Sequence, residues 1–206
     1  MKSTKDRNNY FIKNSGGGYL FLCCLVLWIS SCSYHVISHD PKYSYLNLGS
    51  IVQLQVNLHY GRNRKIYDTN YQQQLFLPRC TPVKIVKIFN KGLTFQIESG
   101  RKFHWILERH IEGDRVEHAS QFFVQECDPL EGLSDIDQKG ILYGRPFEGM
   151  TKKGVLYAMG PPPNHRTPSL DWDEWIYWRN RYDMMVVRFE NDIVVEIKAL
   201  SRRDLY

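Results

Sequence analysis

The stretch Gly149-Met-Thr-Lys-Lys-Gly-Val-Leu-Tyr-Ala-Met-Gly-Pro-Pro-Pro163 predicts one short, capped helix. Thr151 can accept a hydrogen bond from an early backbone N–H, as an N-cap residue does. Met150 and Val155 have the spacing of a hydrophobic staple, one before the cap and one four positions after it. Gly160 suits a left-handed position after the helix, and the prolines that follow stop it. A helix of this kind needs a surface to pack against.

Three strand-like runs follow this helix and can supply that surface. Residues 174–178, 184–189 and 193–197 are strand-like, each with large apolar side chains on one face, and turns lie between them, so they predict a three-stranded antiparallel meander. The side chains predicted to face the helix are Trp175, Tyr177, Met185, Val187, Phe189, Ile193, Val195 and Ile197. Gly154 is unfavourable inside a helix, and we expect it to allow close packing against a strand.

A second strand-rich pattern covers residues 48–112. Apolar side chains at alternate positions from Val52 to Tyr60 predict one half-buried strand, with Asn57 and His59 toward solvent. Further strand-like runs span 83–89, 93–98 and 102–108. The spacing of about ten residues, with glycine-containing turns, predicts a small antiparallel barrel or sandwich that is similar to an SH3-like barrel.

Residues 113–134 are interpreted as a connecting segment. It contains a short helix within 117–126, and a second helix near 133–142 begins the C-terminal domain at 135–200. The predicted fold class is therefore α+β. It consists of a small antiparallel β-rich region followed by a two-layer domain with helices on a three-stranded sheet.

The N-terminus has the order of a secretory signal. Basic residues precede the apolar run 18–29, and Ser30 and Ser31 then lead to Cys32. The run is shorter than the span of about 20 residues that a transmembrane helix needs. Residues 29–32 resemble the lipobox of bacterial lipoproteins, in which the cysteine thiol is diacylated and the chain is cut just before it. The resemblance implies a signal peptide at 1–31, lipid (palmitate) attachment at Cys32 and a tether at 32–47.

The alternative is an ordinary signal peptide or short anchor that merely contains a cysteine. If residues 29–32 are a lipobox, Ser33 indicates in which membrane the protein is anchored. Under the enterobacterial sorting rule an aspartate at this position retains a lipoprotein in the inner membrane, so serine favours the outer membrane.

Removing residues 1–31 changes both the charge and the cysteine count. The chain has 27 Lys and Arg against 22 Asp and Glu, and the removed segment takes four of the former and one of the latter, leaving 23 against 21. This balance, without basic runs interleaved with aromatics, predicts no nucleic-acid partner. Beyond Cys32, only Cys80 and Cys127 remain. An oxidising periplasm favours a disulfide between them, and two separate buried thiols are the alternative.

The C-terminal pattern resembles the SmpA/OmlA (BamE-like) family of outer-membrane lipoprotein domains. It combines Gly-Met-Thr-Lys-x-x-Val-x-x-x-x-Gly-Pro-Pro with Trp-x-Tyr and a Val-x-Phe-x-Asn-x-x-Val strand pair, over about 135–198. The residues that carry the resemblance are Gly149, Met150, Thr151, Val155, Gly160, Pro161, Trp175 and Tyr177. It implies two helices on a three-stranded antiparallel sheet and a role in outer-membrane protein assembly. Two features depart from the family pattern, namely Gly154 and the additional region 48–112. The resemblance therefore supports the family's fold for this chain more strongly than it supports the family's role.

The sequence shows no catalytic or metal-binding pattern. The seven histidines lack zinc-type spacing, and the sequence has no Gly-x-Ser-x-Gly motif and no phosphate-binding glycine loop before a helix. His104 is expected to point to solvent and His118 has no evident partner. The acidic residues of 171–174 are interpreted as a solvated loop. We therefore expect no enzymatic activity, no cofactor and no bound metal.

An aromatic cluster is the best candidate for a partner surface. If Trp175 and Tyr177 face the core, Trp178 faces outward, and Trp172 and Tyr182 lie close to it in sequence. Exposed aromatic patches mark interaction sites. The alternative is that the β-rich region or the tail 201–206 covers Trp178.

The leading functional hypothesis is a non-enzymatic binding or scaffold lipoprotein of the cell envelope. It would be anchored in the outer membrane and face the periplasm or the cell surface, with a protein partner in envelope assembly or maintenance. One rival is a peptidoglycan-binding lipoprotein that grips glycan through aromatics such as Trp105 of the β-rich region. Another is an inhibitor of a secreted hydrolase.

Overall fold

The computed structural model describes residues 40–73, 75–107 and 114–200. The predicted signal peptide, Cys32 and the tail 201–206 lie outside these ranges. The described residues form part of one compact unit. Its fold is α+β, with mostly strands and few helices, as the sequence predicts at this level.

The N-terminal half of this unit, which we call the β-rich lobe, is a six-stranded sheet beside a two-stranded one. Its elements are β1 (Ile51–Leu54), β2 (Leu58–Tyr60), β3 (Lys65–Tyr67), β4 (Leu75–Leu77), β5 (Pro82–Phe89), β6 (Gly92–Ile97), β7 (Lys102–Ile106), α1 (Arg115–Ser120) and β8 (Phe123–Val124). The large sheet has the order β3-β7-β6-β5-β1-β8, and β2 pairs with β4. Strand β3 runs parallel to β7, so the expectation of a purely antiparallel region is wrong at this edge.

The single strand predicted over 52–60 is also wrong. The chain forms β1 and then β2, which belong to different sheets. Between them the chain leaves regular strand structure at 55–57. Asn57 is fully buried and His59 is 3% exposed, the reverse of their predicted position toward solvent. Alternation alone could not show this, because a buried amide is stable only where hydrogen-bonding partners surround it.

Aromatic side chains fill the core of the β-rich lobe. Trp105 packs edge-on against Phe123, with ring centroids 5.4 Å apart, and Phe95 stacks on Phe103. A 3-10 turn at Pro41–Leu46, within the predicted tether, buries Tyr43 and Leu46 against this core. Helix α1 and strand β8, from the predicted connecting segment, also belong to this lobe.

The C-terminal lobe has two helices and a three-stranded sheet. Its elements are α2 (Asp135–Tyr143), α3 (Lys152–Met159), β9 (Glu174–Trp178), β10 (Met184–Glu190) and β11 (Ile193–Leu200). The sheet order is β11-β10-β9 and both pairings are antiparallel, which confirms the predicted meander. Side chains of both helices pack in one apolar cluster with those of the sheet.

One strand of this meander faces the core with different residues from those predicted. Val194 is 2% exposed, whereas Ile193 and Val195 are 38% and 39% exposed. The pairing of β10 with β11 has a register shift between Arg188 and Phe189. A bulge of this kind adds one residue to a strand and reverses the alternation beyond it, so Val194 takes the place predicted for Ile193 and Val195.

Helix α3 begins as its sequence predicts. The Thr151 hydroxyl accepts a hydrogen bond from the Gly154 N–H at 3.0 Å, and Met150 and Val155 are fully buried. Gly160 has a positive φ of 78°, but its ψ of 178° is extended, so the helix ends outside the left-handed helical conformation. Glycine still suits this position, because side chains strongly disfavour such a backbone.

Gly154 allows close packing against a helix and not, as predicted, against a strand. A Cβ atom at this position would overlap the carboxylate of Asp137 from α2. That buried carboxylate accepts hydrogen bonds from Ser134 Oγ at 2.8 Å and from the Thr151 N–H at 2.7 Å. It therefore joins the N-terminal ends of both helices, where backbone dipoles favour a negative charge.

Candidate functional site

A buried polar contact joins the two lobes. The Asn57 side chain donates to the Ile141 carbonyl at 2.7 Å and to the Ala158 carbonyl at 3.3 Å, both in the C-terminal lobe. Its Oδ1 accepts from the Arg79 N–H at 2.9 Å. The ends of α2 and α3 are thus tied to the β-rich lobe through one fully buried amide.

A second asparagine completes the contact. The Asn70 amide donates to the carbonyls of Asn57 and Met159, at 2.8 and 2.6 Å. Its Oδ1 accepts from the His59 N–H at 2.8 Å. Asn70 has a φ of 46°, a left-handed conformation that asparagine tolerates better than most residues.

The edge of this contact carries charges. Tyr157 of α3 donates its hydroxyl proton to Asp128 Oδ2 at 2.5 Å, and the Arg79 guanidinium lies 4.2 Å from the centre of the Tyr157 ring. Burial and the hydrogen bond to Asp128 raise the pKa of Tyr157 to about 12. The same hydrogen bond lowers the pKa of Asp128. We call the group of Asn57, Asn70, Arg79, Asp128 and Tyr157 the junction.

The sequence left the pairing of the two remaining cysteines open. In the structure Cys80 and Cys127 form a disulfide, with their Cα atoms 5.4 Å apart. Each cysteine is the direct neighbour of a junction residue, Arg79 or Asp128, and the Arg79 guanidinium donates to the Asp128 carbonyl at 2.6 Å. The disulfide therefore holds together the two chain segments that contact Tyr157.

A cleft of about 570 Å³ opens where the lobes meet. Its lining residues are Tyr67, Tyr71 and Gln73 from the β-rich lobe and His165, Trp178, Asn180 and Arg181 from the C-terminal lobe. Its volume is within the usual range for ligand sites. The backbone N–H of Gln72 donates to the Trp178 carbonyl at 3.1 Å, so the two walls are connected by a hydrogen bond.

The cleft combines flat rings with a few polar groups. The Trp178 ring stacks on His165 with centroids 6.3 Å apart, and Tyr67 meets Tyr71 edge to face at 5.5 Å. Amides can fix the orientation of a ligand, and a guanidinium can pair with an anionic group. This arrangement suits the binding of a peptide segment or a sugar.

A smaller pocket of about 150 Å³ shares Tyr67, Tyr71 and Gln73 with the cleft and reaches His59. The His59 Nδ1 lies 2.9 Å from the Gln73 carbonyl. Burial lowers the pKa of His59. A neutral ring is therefore favoured between the pocket and the junction.

The three residues of the predicted aromatic surface do not lie together in the structure. Trp178 is half-buried and lines the cleft, with the β-rich lobe beside it. Trp172 and Tyr182 are 50% and 51% exposed and do not line the cleft. Trp172 instead borders an open acidic depression with Asp171 and Glu174.

The residues that carry the family resemblance are mostly structural. Met150, Val155, Trp175 and Tyr177 are at most 1% exposed. The Tyr177 hydroxyl donates to the Gly160 carbonyl at 3.0 Å, just before Pro161. The Gly149 N–H donates to the Val194 carbonyl at 2.8 Å and Thr151 caps α3. The motif therefore stabilises the lobe and does not form the cleft.

Several polar residues have partners that the sequence did not indicate. His118 Nε2 lies 3.2 Å from Asp68 Oδ2, although no partner was evident from the sequence. Asp173, in the predicted solvated loop, lies 3.3 Å from the Lys152 ammonium of α3, which also contacts Asp192 at 2.9 Å. The described part of the chain has no group of three or more His, Cys, Asp or Glu side chains that could hold a metal.

Sequence patterns missed most of the cleft. Tyr67, Tyr71, Gln73 and His165 lie in or beside irregular segments, where no periodicity marks a face. Trp105, suggested as a glycan contact, is 1% exposed and cannot serve as one. The sequence indicated this site only through the enrichment of aromatic residues around the turn predicted after the strand at 174–178.

The chain matches no protein-family model, no curated protein and no solved structure at a significant level. Among the described helices, none is long and apolar enough to cross a membrane. The geometry of the cleft and the junction is therefore the basis for assigning a function.

Proposed function

We propose that this chain is a bacterial envelope lipoprotein that acts as a non-enzymatic binding or scaffold protein. A lipid on Cys32 anchors it in the outer membrane, and the cleft between the lobes holds a protein partner at the periplasmic side. The C-terminal lobe is of the SmpA/OmlA type, and the process served is envelope assembly or maintenance. The β-rich lobe, with its SH3-like character, supplies one wall of the cleft.

The aromatic cleft is the observation that supports this proposal most directly. Its rings lie on walls connected by a buried junction, so the binding surface is formed before a partner arrives. A preformed surface loses little conformational entropy on binding. Tryptophan, tyrosine and arginine are also the residues most enriched among energetically important interface contacts.

Affinity purification from detergent-solubilised envelope tests the proposal. Full-length wild-type protein should recover one or more envelope proteins reproducibly. Arg181→Glu, at an exposed position on the cleft wall, should lose them. Trp172→Ala is the matched control, because Trp172 is exposed outside the cleft. Equal recovery by both variants would contradict a role for the cleft.

The anchor is tested separately. A Cys32→Ser protein should remain unprocessed or be released in soluble form, because no thiol is present for acylation. Mass spectrometry of the N-terminal peptide and membrane fractionation give the readout. Normal acylation and fractionation of this variant would overturn the assignment of Cys32.

A glycan is the second candidate for the ligand of the cleft. Sugar rings stack their C–H faces on aromatic side chains, and the amides of Gln73 and Asn180 offer both donors and acceptors. Purified sacculi should then retain wild-type protein and the Trp172→Ala control but not Tyr71→Ala. Failure of sacculi to retain wild-type protein would exclude this candidate.

A further inference from the structure

The outer face of the six-stranded sheet carries an unusual set of side chains. Across strands β1, β5, β6 and β7, one row is formed by Ile51, Lys84, Gln96 and Lys102, each paired with the next. A second row across β5, β6, β7 and β3 consists of Lys87, Thr94, His104 and Lys65. Directly paired residues point to the same side of a sheet. We call this surface the lysine face.

Its charge is of one sign. Neither row contains a carboxylate, and within the described ranges none of the four lysines forms an ion pair. Glu98 lies just beyond β6, with Arg101 close to it in the same connection. Strands lie about 4.8 Å apart, so Lys84 and Lys102, two strands apart, are separated by about 10 Å. Lys87 and Lys65 are three strands apart, or about 14 Å, so the four ammonium groups share one face of the sheet.

In the sequence, the predicted anchor directly precedes this lobe. Asp40 lies eight positions after Cys32, and eight residues reach about 28 Å at most. The 3-10 turn that follows Asp40 packs on the core of the β-rich lobe. Ile51, on the lysine face, is 71% exposed, and nearby Leu48 is 48% exposed. Lysines beside exposed aliphatic side chains are typical of surfaces that lie against a membrane.

We propose that the lysine face binds the anionic phospholipid headgroups of the membrane that holds the Cys32 lipid. This inference rests on the proposed anchor, because the tether keeps the face within reach of that membrane. Charge complementarity selects the partner: four ammonium groups meet a surface of phosphates, and Ile51 meets the boundary of the acyl chains. The protein then lies on its β-rich lobe and does not swing freely from its tether.

Lysine footprinting on the acylated, full-length protein tests this proposal. The protein is reconstituted in vesicles of phosphatidylcholine alone or of phosphatidylcholine with cardiolipin, and its lysines are acetylated and quantified by mass spectrometry. A lysine near an anionic surface contributes about 1 kcal/mol, or about fivefold in an equilibrium constant. We therefore expect the acetylation of Lys84 and Lys102 to slow at least about fivefold in anionic vesicles. High salt should remove this protection, because it screens the charges.

Matched variants locate the effect. Lys84→Gln combined with Lys102→Gln should abolish the protection of Lys65 and Lys87. Lys139→Gln combined with Lys198→Gln removes the same charge from exposed positions in the C-terminal lobe, and it should leave the protection intact. Both pairs lie at exposed positions, so neither is expected to unfold the protein.

Three results would overturn the proposal. Equal acetylation rates in the two vesicle types would show that the face does not contact lipid. Equal protection of Lys139 and Lys198 would show a non-specific effect of the surface. Stronger protection by a DNA duplex than by anionic vesicles would assign the face to a different polyanion. The mass of the Cys32 peptide from the same sample reports acylation independently, so failure of the anchor and failure of the lysine face are distinguished.

Discussion

The two apolar cores and the junction between them are built on different physical principles. Each core consists of apolar side chains that are buried away from water, such as Trp105 in one lobe and Trp175 in the other. The junction instead buries the amides of Asn57 and Asn70, which are stable there because backbone groups of both lobes satisfy them. The cores provide most of the stability, and the junction determines where the walls of the cleft lie.

The largest effect should come from a core. Trp175 is fully buried, and its ring lies 4.7 Å from that of Phe189. Trp175→Ala should lower the free energy of unfolding by about 3–5 kcal/mol, because it removes apolar contacts and leaves a cavity. Chemical denaturation measures this. Trp172→Ala, at a 50% exposed position, should change it by less than about 0.5 kcal/mol. Similar losses in both variants would contradict the burial pattern.

Removal of the disulfide should have the next largest effect. Cys80 and Cys127 are 47 positions apart. Replacing both by serine should lower the unfolding free energy by about 2–4 kcal/mol, chiefly because the unfolded chain gains entropy. Reduced wild-type protein should show a loss of similar size. Unchanged stability in the double variant would show that the crosslink constrains little.

The junction should respond to a single amide. Asn57→Leu keeps the approximate size of the side chain but leaves the Arg79 N–H and the Ile141 carbonyl without their partner. Each buried, unsatisfied group costs about 1–3 kcal/mol, and we expect a total loss of about 2–3 kcal/mol. Asn164→Leu, at an exposed turn, is the control in the same denaturation experiment. A neutral effect at Asn57 would mean that the lobes do not depend on this contact.

The smallest predicted effect is a dependence of stability on pH. Burial lowers the pKa of His59 from 6.5, so the unfolded chain binds a proton more readily than the folded one. The stability from the neutral ring is present above pH 6.5 and is lost as the pH falls toward the folded-state pKa. Between about pH 7.5 and 5.5 we expect a loss of about 1 kcal/mol.

Histidine variants isolate this contribution. His59→Gln should flatten the pH dependence of the unfolding free energy, whereas His104→Gln, on the exposed side of β7, should keep it. If the unfolding free energy of wild type and of His59→Gln depends on pH with the same slope, groups other than His59 cause that dependence.

The cores could be predicted from sequence because hydrophobic periodicity reports directly on burial. The helix at 152–159 and the three strands after it were predicted in this way. Periodicity failed where one residue was added, as at Val195 in the bulge of β11, and where a strand was too short to show a pattern, as at β3.

The junction and the cleft could not be predicted for a different reason. An asparagine at alternating spacing looks the same whether it faces water or the end of a helix in another lobe. Only the arrangement in space brings the Ile141 and Met159 carbonyls to Asn57 and Asn70. Trp178 was singled out in the sequence, but the residues that line the cleft with it, Tyr71 and His165, come from distant, irregular segments.

Native-state hydrogen exchange tests most directly the claim that the junction makes the lobes one unit. In wild-type protein, the slowest amides of β6 and of β10 should exchange with the same free energy, because both require global unfolding. In Asn57→Leu the two values should separate. Two results would show that the lobes are not coupled through the junction. One is a difference between the exchange free energies of β6 and β10 in wild type, and the other is an equal decrease of both free energies in the variant.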